Sequence, residues 1–136
     1  MTTVALFGAA GKMGTRISEK LRQRPEYDLR YVEANPSAEA RLRERGLRPI
    51  DAATAAKEAD AVILAVPDRV IGQVAAQIVP DLRSGAMLIC LDPAAPYDGQ
   101  LPSRDDITYF VTHPCHPPIV GEEIDPSVPH DFFGGI

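Results

Sequence analysis

Near its start the chain runs Val4-Ala5-Leu6-Phe7-Gly8-Ala9-Ala10-Gly11-Lys12-Met13-Gly14, an apolar stretch that passes through a glycine-rich turn into a segment of helical character. An uninterrupted apolar run of this kind reads as a strand covered on both faces. Glycines in the turn let the backbone approach a phosphate where a side chain would block it. The helix expected over residues 12–24 turns its first amides and the positive end of its dipole toward the same point. The stretch therefore predicts a strand, turn and helix that hold a dinucleotide by its pyrophosphate. Gly8, Ala10, Gly11, Lys12, Met13 and Gly14 are the candidate contacts.

The spacing is G-x-x-G-x-x-G, with Ala10 where the second glycine of the usual G-x-G-x-x-G pattern would fall. A triple-glycine turn is weak evidence alone, and a tight strand-to-helix turn with no ligand is the plainer reading. Context strengthens the binding reading. Leu29-Arg30-Tyr31-Val32 reads as a second strand, and Glu33 follows it, 19 residues beyond Gly14. A carboxylate there accepts hydrogen bonds from adenosine ribose hydroxyls and repels the additional phosphate of NADP. No arginine stands in Ala34-Asn35-Pro36-Ser37 to receive that phosphate. NAD is the expected cofactor, with NADP admitted as an alternative through Lys12.

At 136 residues the chain is long enough for one domain with a real core and too short for a second of ordinary size. A net charge of -5 argues against a nucleic-acid or anionic-membrane surface. The arginines fall mostly among acids, as in Glu39-Ala40-Arg41-Leu42-Arg43-Glu44-Arg45, which reads as a salt-bridged helical face. No apolar run approaches a membrane span and no basic-then-apolar leader opens the sequence, so a cytoplasmic protein is expected. Cys90 and Cys115 do not make a disulfide framework.

Strand-like and helix-like clusters alternate through about residue 92, the pattern of a parallel sheet with crossover helices. Residues 46–50 read as a short third strand, 52–59 as a helix capped by Asp51, and 60–66 as the clearest strand after the first. Val70, Val74, Ile78 and Val79 lie at helical spacing before Pro80, and residues 86–91 and 108–112 read as the last two strands. Eight of the thirteen prolines come at or after Pro93, so that part is expected to be largely loop. The expectation is a doubly wound α/β domain of Rossmann type over residues 1–115. A connection over residues 116–136 would lead toward an absent helical C-terminal domain.

Ligands of open parallel sheets bind beyond the carboxyl ends of the strands. Those ends offer the glycine turn, Glu33, Val66-Pro67-Asp68, Asp92-Pro93-Ala94-Ala95 and His113-Pro114-Cys115-His116. Val66, Pro67 and Asp68 would border the adenosine, although Asp68 also fits a helix cap. In the last segment a metal site is disfavoured, because prolines hold it extended and only His130 stands elsewhere. A histidine at the last strand end can bind a substrate carboxylate or move the proton of an alcohol losing hydride, or it can be a hydrogen-bonded structural residue. His113 and His116 are the catalytic candidates, and no metal is expected.

Gly11-Lys12-Met13-Gly14, Ala65-Val66-Pro67-Asp68, Leu91-Asp92-Pro93-Ala94-Ala95-Pro96 and Thr112-His113-Pro114-Cys115-His116-Pro117-Pro118, with Asp131-Phe132-Phe133-Gly134-Gly135, together resemble the N-terminal half of the phosphogluconate-dehydrogenase-like oxidoreductases. The resemblance covers nearly the whole chain. It implies a Rossmann half that binds NAD(P) and a reaction that oxidises a sugar-derived hydroxy acid, coupled in one subfamily to rearrangement of the carbon skeleton. It further implies a helical second half that completes the substrate site and forms a homodimer. Dihydrodipicolinate reductases resemble the opening turn as well, and an NAD-binding regulatory domain without turnover is the reading from a different class.

Overall fold

A computed structural model describes residues 1–113. The elements follow the order β1 (Thr2–Phe7), α1 (Lys12–Leu21), β2 (Tyr27–Val32), α2 (Pro36–Glu44), α3 (Ala52–Glu58), β3 (Ala61–Leu64), α4 (Ile71–Ile78), β4 (Met87–Cys90), the single-turn α5 (Ala94–Tyr97) and β5 (Thr108–Val111). All five strands are parallel, in the order β2-β1-β3-β4-β5. The domain end expected at residue 115 and the connection over residues 116–136 lie outside the described residues, as does His116.

Alternation along the strands sends successive side chains to opposite layers. Ala5 and Phe7 of β1, Val62 and Leu64 of β3, and Leu88 and Cys90 of β4 pack with Ala55 and Ala56 of α3 and Ile71, Ala75 and Ile78 of α4. Leu6, Tyr31 and Ile63 face the other way, onto Ile17 of α1 and Leu42 of α2. The sheet is thus covered on both faces, which is why β1 and β3 read as apolar runs rather than as alternations.

The third strand expected over residues 46–50 does not form. Its place is marked by one parallel bridge, Tyr31 to Pro49, with the Ile50 amide donating to the Tyr31 carbonyl at 2.9 Å. Pro49 has no amide to extend the ladder, and the Leu47 amide is spent on the Leu42 carbonyl at the end of α2. The bridge lies outboard of β2. Counting it as a vestigial strand turns the order into the 3-2-1-4-5-6 arrangement of doubly wound nucleotide-binding sheets.

Helix ends differ from expectation in small, explicable ways. α1 stops at Leu21, followed by turns ahead of Pro25, instead of reaching residue 24. Asp51 caps α3, accepting from the Thr54 amide at 2.9 Å, and Asn35 caps α2 by accepting from Ala38. Asp68 caps nothing with its side chain: it opens a 3-10 turn, Asp68–Val70, that leads into α4. The proline-rich part expected to be loop contains α5, started by Asp92, whose carboxylate accepts from the Ala94 amide at 2.7 Å.

Candidate functional site

The register brings the ends of three strands level. Phe7 pairs with Val32 on one side and with Leu64 on the other, so Gly8, Glu33 and Ala65 emerge side by side. The Gly8 amide donates to the Val32 carbonyl at 3.0 Å, and the Ala65 amide donates to the Phe7 carbonyl at 2.9 Å. Because the chain leaves β1 toward β2 on one side and β3 on the other, this is the switch point of the sheet, where a crevice must open.

The turn from β1 to α1 is dictated by two of its glycines. Gly8 has a φ of 76°, and a side chain there would collide with the Ala65 carbonyl. Gly14, one turn into α1, lies against the Gly8 carbonyl and the Ala9 backbone, so a methyl group would push the helix off the turn. Gly11 closes the turn by donating to the Gly8 carbonyl at 3.0 Å. Unlike α2 and α3, α1 has no side-chain cap, and its first turn holds no acid. Its first amides are therefore offered to an anion rather than to a side chain.

Glu33 reaches back across the sheet end. Its Oε1 accepts from the Ala10 amide at 2.5 Å, which fixes one oxygen on the turn. Beside it opens a cleft of about 600 Å³. Gly8 and Gly11 form its base, Glu33, Ala34 and Asn35 one wall, and Val66, Pro67, Val70 and Val74 the opposite wall. An apolar slot with a carboxylate at one corner and backbone amides at its base suits a flat heteroaromatic group carrying a hydroxylated, phosphorylated sugar.

The expected residues divide accordingly. Gly8, Gly11, Glu33, Val66 and Pro67 line the cleft. Ala10 is held by Glu33, exposed Lys12 and half-buried Met13 occupy the first turn of α1, and Gly14 is the packing point behind it. Asp68 is exposed and lies outside the cleft lining. His113 follows β5 with a 68% exposed side chain, and its Nδ1 stands 3.8 Å from Oδ2 of Asp92, which follows β4. That separation is too long for a hydrogen bond. Cys90, at the end of β4, is a free and buried thiol, its pKa pushed up by burial. Among the described residues no group of three or more His, Cys, Asp or Glu could hold a metal ion, and no helix is long and apolar enough to cross a membrane.

The sequence offers Arg41 only as part of a salt-bridged helical face. Arg41 lines the cleft with Ala38, three residues before it on α2. Helical spacing from Ala38 is the signal that finds it, because positions three apart share a face.

A parallel sheet covered on both faces, with a glycine turn at its switch point and an acid at the end of the second strand, defines a Rossmann-type nucleotide-binding domain. Comparison with known proteins narrows the class. A family model described as NADP oxidoreductase, coenzyme F420-dependent, matches residues 3–95, and the chain belongs to that family. The chain is 50% identical to a D-apionate oxidoisomerase of Rhizobium rhizogenes, over 100% of its own length and 50% of the relative's. It is 40% identical to one of Pectobacterium atrosepticum, covering 47% of that protein. Among solved structures it superposes on a semialdehyde dehydrogenase NAD-binding protein of Cupriavidus necator, in complex with calcium and NAD. The TM-score is 0.85, with 48% identity, 98% of this chain and 48% of that one covered. The chain spans about half the length of the curated relatives it matches.

Proposed function

We propose that this domain binds NAD(H) across the switch point and is the cofactor half of an oxidoreductase that acts on a sugar-derived hydroxy acid. The observation that carries the reading is the convergence of Gly8, Glu33 and Ala65, with Glu33 tied to the Ala10 amide beside a slot of about 600 Å³. The amides at residues 8–14 and the start of α1 take the pyrophosphate, Lys12 adding a positive charge and Gly14 letting the helix sit close. The Glu33 oxygen not used by Ala10 accepts from the adenosine ribose. Adenine lies between Ala34 and Asn35 on one side and Val66, Pro67 and Val70 on the other, while Asp68 stands at the rim. When bound, the nicotinamide supplies a hydride acceptor. His113, beyond β5, takes the proton of the substrate alcohol, Asp92 keeping its imidazole at the strand ends, and His116 is the second candidate for that role.

The names of the relatives at 50% identity support oxidation coupled to isomerisation, with D-apionate as the substrate. A second half of the kind their length allows would complete the substrate pocket and pair two subunits. The test adds D-apionate and NAD to the protein that carries this chain and follows reduced nicotinamide. Reduction that requires both supports the assignment. Failure with D-apionate alongside turnover of another hydroxy acid moves the substrate and leaves the cofactor reading in place.

A further inference from the structure

Cover over the sheet is uneven. On the α1 side, Ile17 of α1 and Leu42 of α2 pack on Leu6 of β1 and Tyr31 of β2, and Ile63 of β3 is only partly buried at the margin of that cluster. The register carries the same face outward through Ile89 of β4 to Phe110 of β5, with Ala61, Met87 and Thr108 forming a second row toward the amino ends of the strands. None of these six side chains is charged. Among the described residues Met87, Ile89 and Phe110 belong to neither core cluster, and Phe110 stays 49% exposed. On the opposite face of the same strands, Val62, Leu88 and Tyr109 are packed into the core beneath α3 and α4. An uncharged apolar row left open on one side of a parallel sheet marks a surface that another body covers.

Topology says which body that is not. The step from β1 to β2 runs one way and puts α1 on this face, whereas β3, β4 and β5 step the other way, so their right-handed crossovers put α4 and α5 on the opposite face. Any further crossover in that direction lands there too. The cover must therefore come from outside the winding of this sheet. The chain spans 50% of its Rhizobium rhizogenes relative and 47% of the Pectobacterium atrosepticum one, so proteins of this kind have a second half of equal length to supply it. We propose that Ile63, Ile89 and Phe110 seat the apolar face of a helix from the second half of the protein that carries this chain. The row crosses three strands, about 10 Å, which two helical turns span. It lies one residue before the last pairs of the β3, β4 and β5 ladders, so a helix seated there sits beside the strand ends that Asp92 and His113 follow. The placement rests on the second half proposed above and not on what the cleft binds.

The test is hydroxyl-radical footprinting read by peptide mass spectrometry, on the 136-residue chain and on the longer protein that carries it, with Tyr27 at the far edge of the sheet as reference. Phe110 and Met87 should be oxidised freely in the 136-residue chain. In the longer protein Phe110 should react at least about fivefold more slowly, the change from 49% exposure to burial, with Tyr27 altered by less than about twofold. Phe110→Asp in the longer protein should raise oxidation at Met87 toward its rate in the 136-residue chain, and Phe110→Leu should keep the parent protection. Circular dichroism of the 136-residue variants checks that the domain itself still folds. Equal Phe110 rates in the two proteins would overturn the proposal, as would Met87 protection indifferent to Phe110→Asp. Protection that grows with the concentration of the 136-residue chain would give the face to a second copy and overturn it as well. None of these readouts uses a nucleotide, so their failure leaves the cofactor reading in place, and failure to bind NADH leaves the docking face in place.

Discussion

Glu33 and Ala10, 23 positions apart in sequence, are joined by a 2.5 Å hydrogen bond from the amide of the glycine turn to the carboxylate at the end of β2. The contact sets the cleft corner before any ligand arrives. It commits one carboxylate oxygen to the turn, the other being the proposed ribose acceptor, and couples the shape of the turn to the neighbouring strand. Removing the side chain therefore acts on the turn and on the proposed ribose contact together.

Glu33→Ala should weaken NADH binding by about tenfold, the scale of one lost hydrogen bond to a charged group. Glu33→Gln keeps an acceptor for the Ala10 amide and removes the charge, so it should weaken NADH less and improve NADPH relative to NADH. Calorimetric titration separates the two variants. Parent-like NADH affinity in Glu33→Ala would dismiss the ribose contact.

Gly14→Ala should cost about 2–3 kcal/mol in urea unfolding, because its methyl group meets the Gly8 carbonyl and the Ala9 backbone and α1 must move. Dinucleotide affinity should drop with it, since the displaced amides are the proposed phosphate donors. Unchanged stability would mean that α1 is free to slide on β1.

Acid should weaken the fold partly through Asp106. Arg104 donates to both Asp106 oxygens, at 2.9 and 2.5 Å, and to the Val79 and Leu82 carbonyls. The hydrogen bonds from Arg104 come first among the causes that hold the Asp106 carboxyl below its ordinary range, and Asp51 is lowered likewise by the Thr54 amide. A carboxyl lowered in the folded state contributes stability above its unfolded value, about 4, and loses it as pH falls through the folded value. Melting temperatures of the parent should therefore decline below about pH 4, and Asp106→Asn should show a shallower decline. Identical profiles would place the acid sensitivity elsewhere.

Cys90 is buried at the end of β4, and burial raises its thiol pKa. Iodoacetamide at mildly alkaline pH should leave the Cys90 peptide unmodified in the folded protein and label it fully in urea, as read by peptide mass spectrometry. Rapid labelling of folded protein would indicate that β4 opens locally.

Much of this architecture is legible in the sequence because single local signals carry it. The apolar run before Gly8, the buried run before Pro67 and the cap at Asp51 each correspond to the element observed. The missing third strand turns on backbone donors that apolar patterning does not count: Pro49 has none, and that of Leu47 goes to the Leu42 carbonyl. Arg41 is not legible as a cleft residue because the segment Ala34-Asn35-Pro36-Ser37 ends before the helical turn that returns residue 41 to the cleft beside Ala38. The approach of His113 to Asp92 depends on β4 and β5 being neighbours, a fact of topology that neither segment encodes alone.

A dinucleotide seated across the end of β1 would be read residue by residue in an amide NMR titration with NAD. Shifts should concentrate at residues 8–14, 33–35 and 65–70, with Leu88 and Ile89 in the middle of β4 unmoved. Shifts confined to the β5 edge, or none at a saturating concentration, would contradict it.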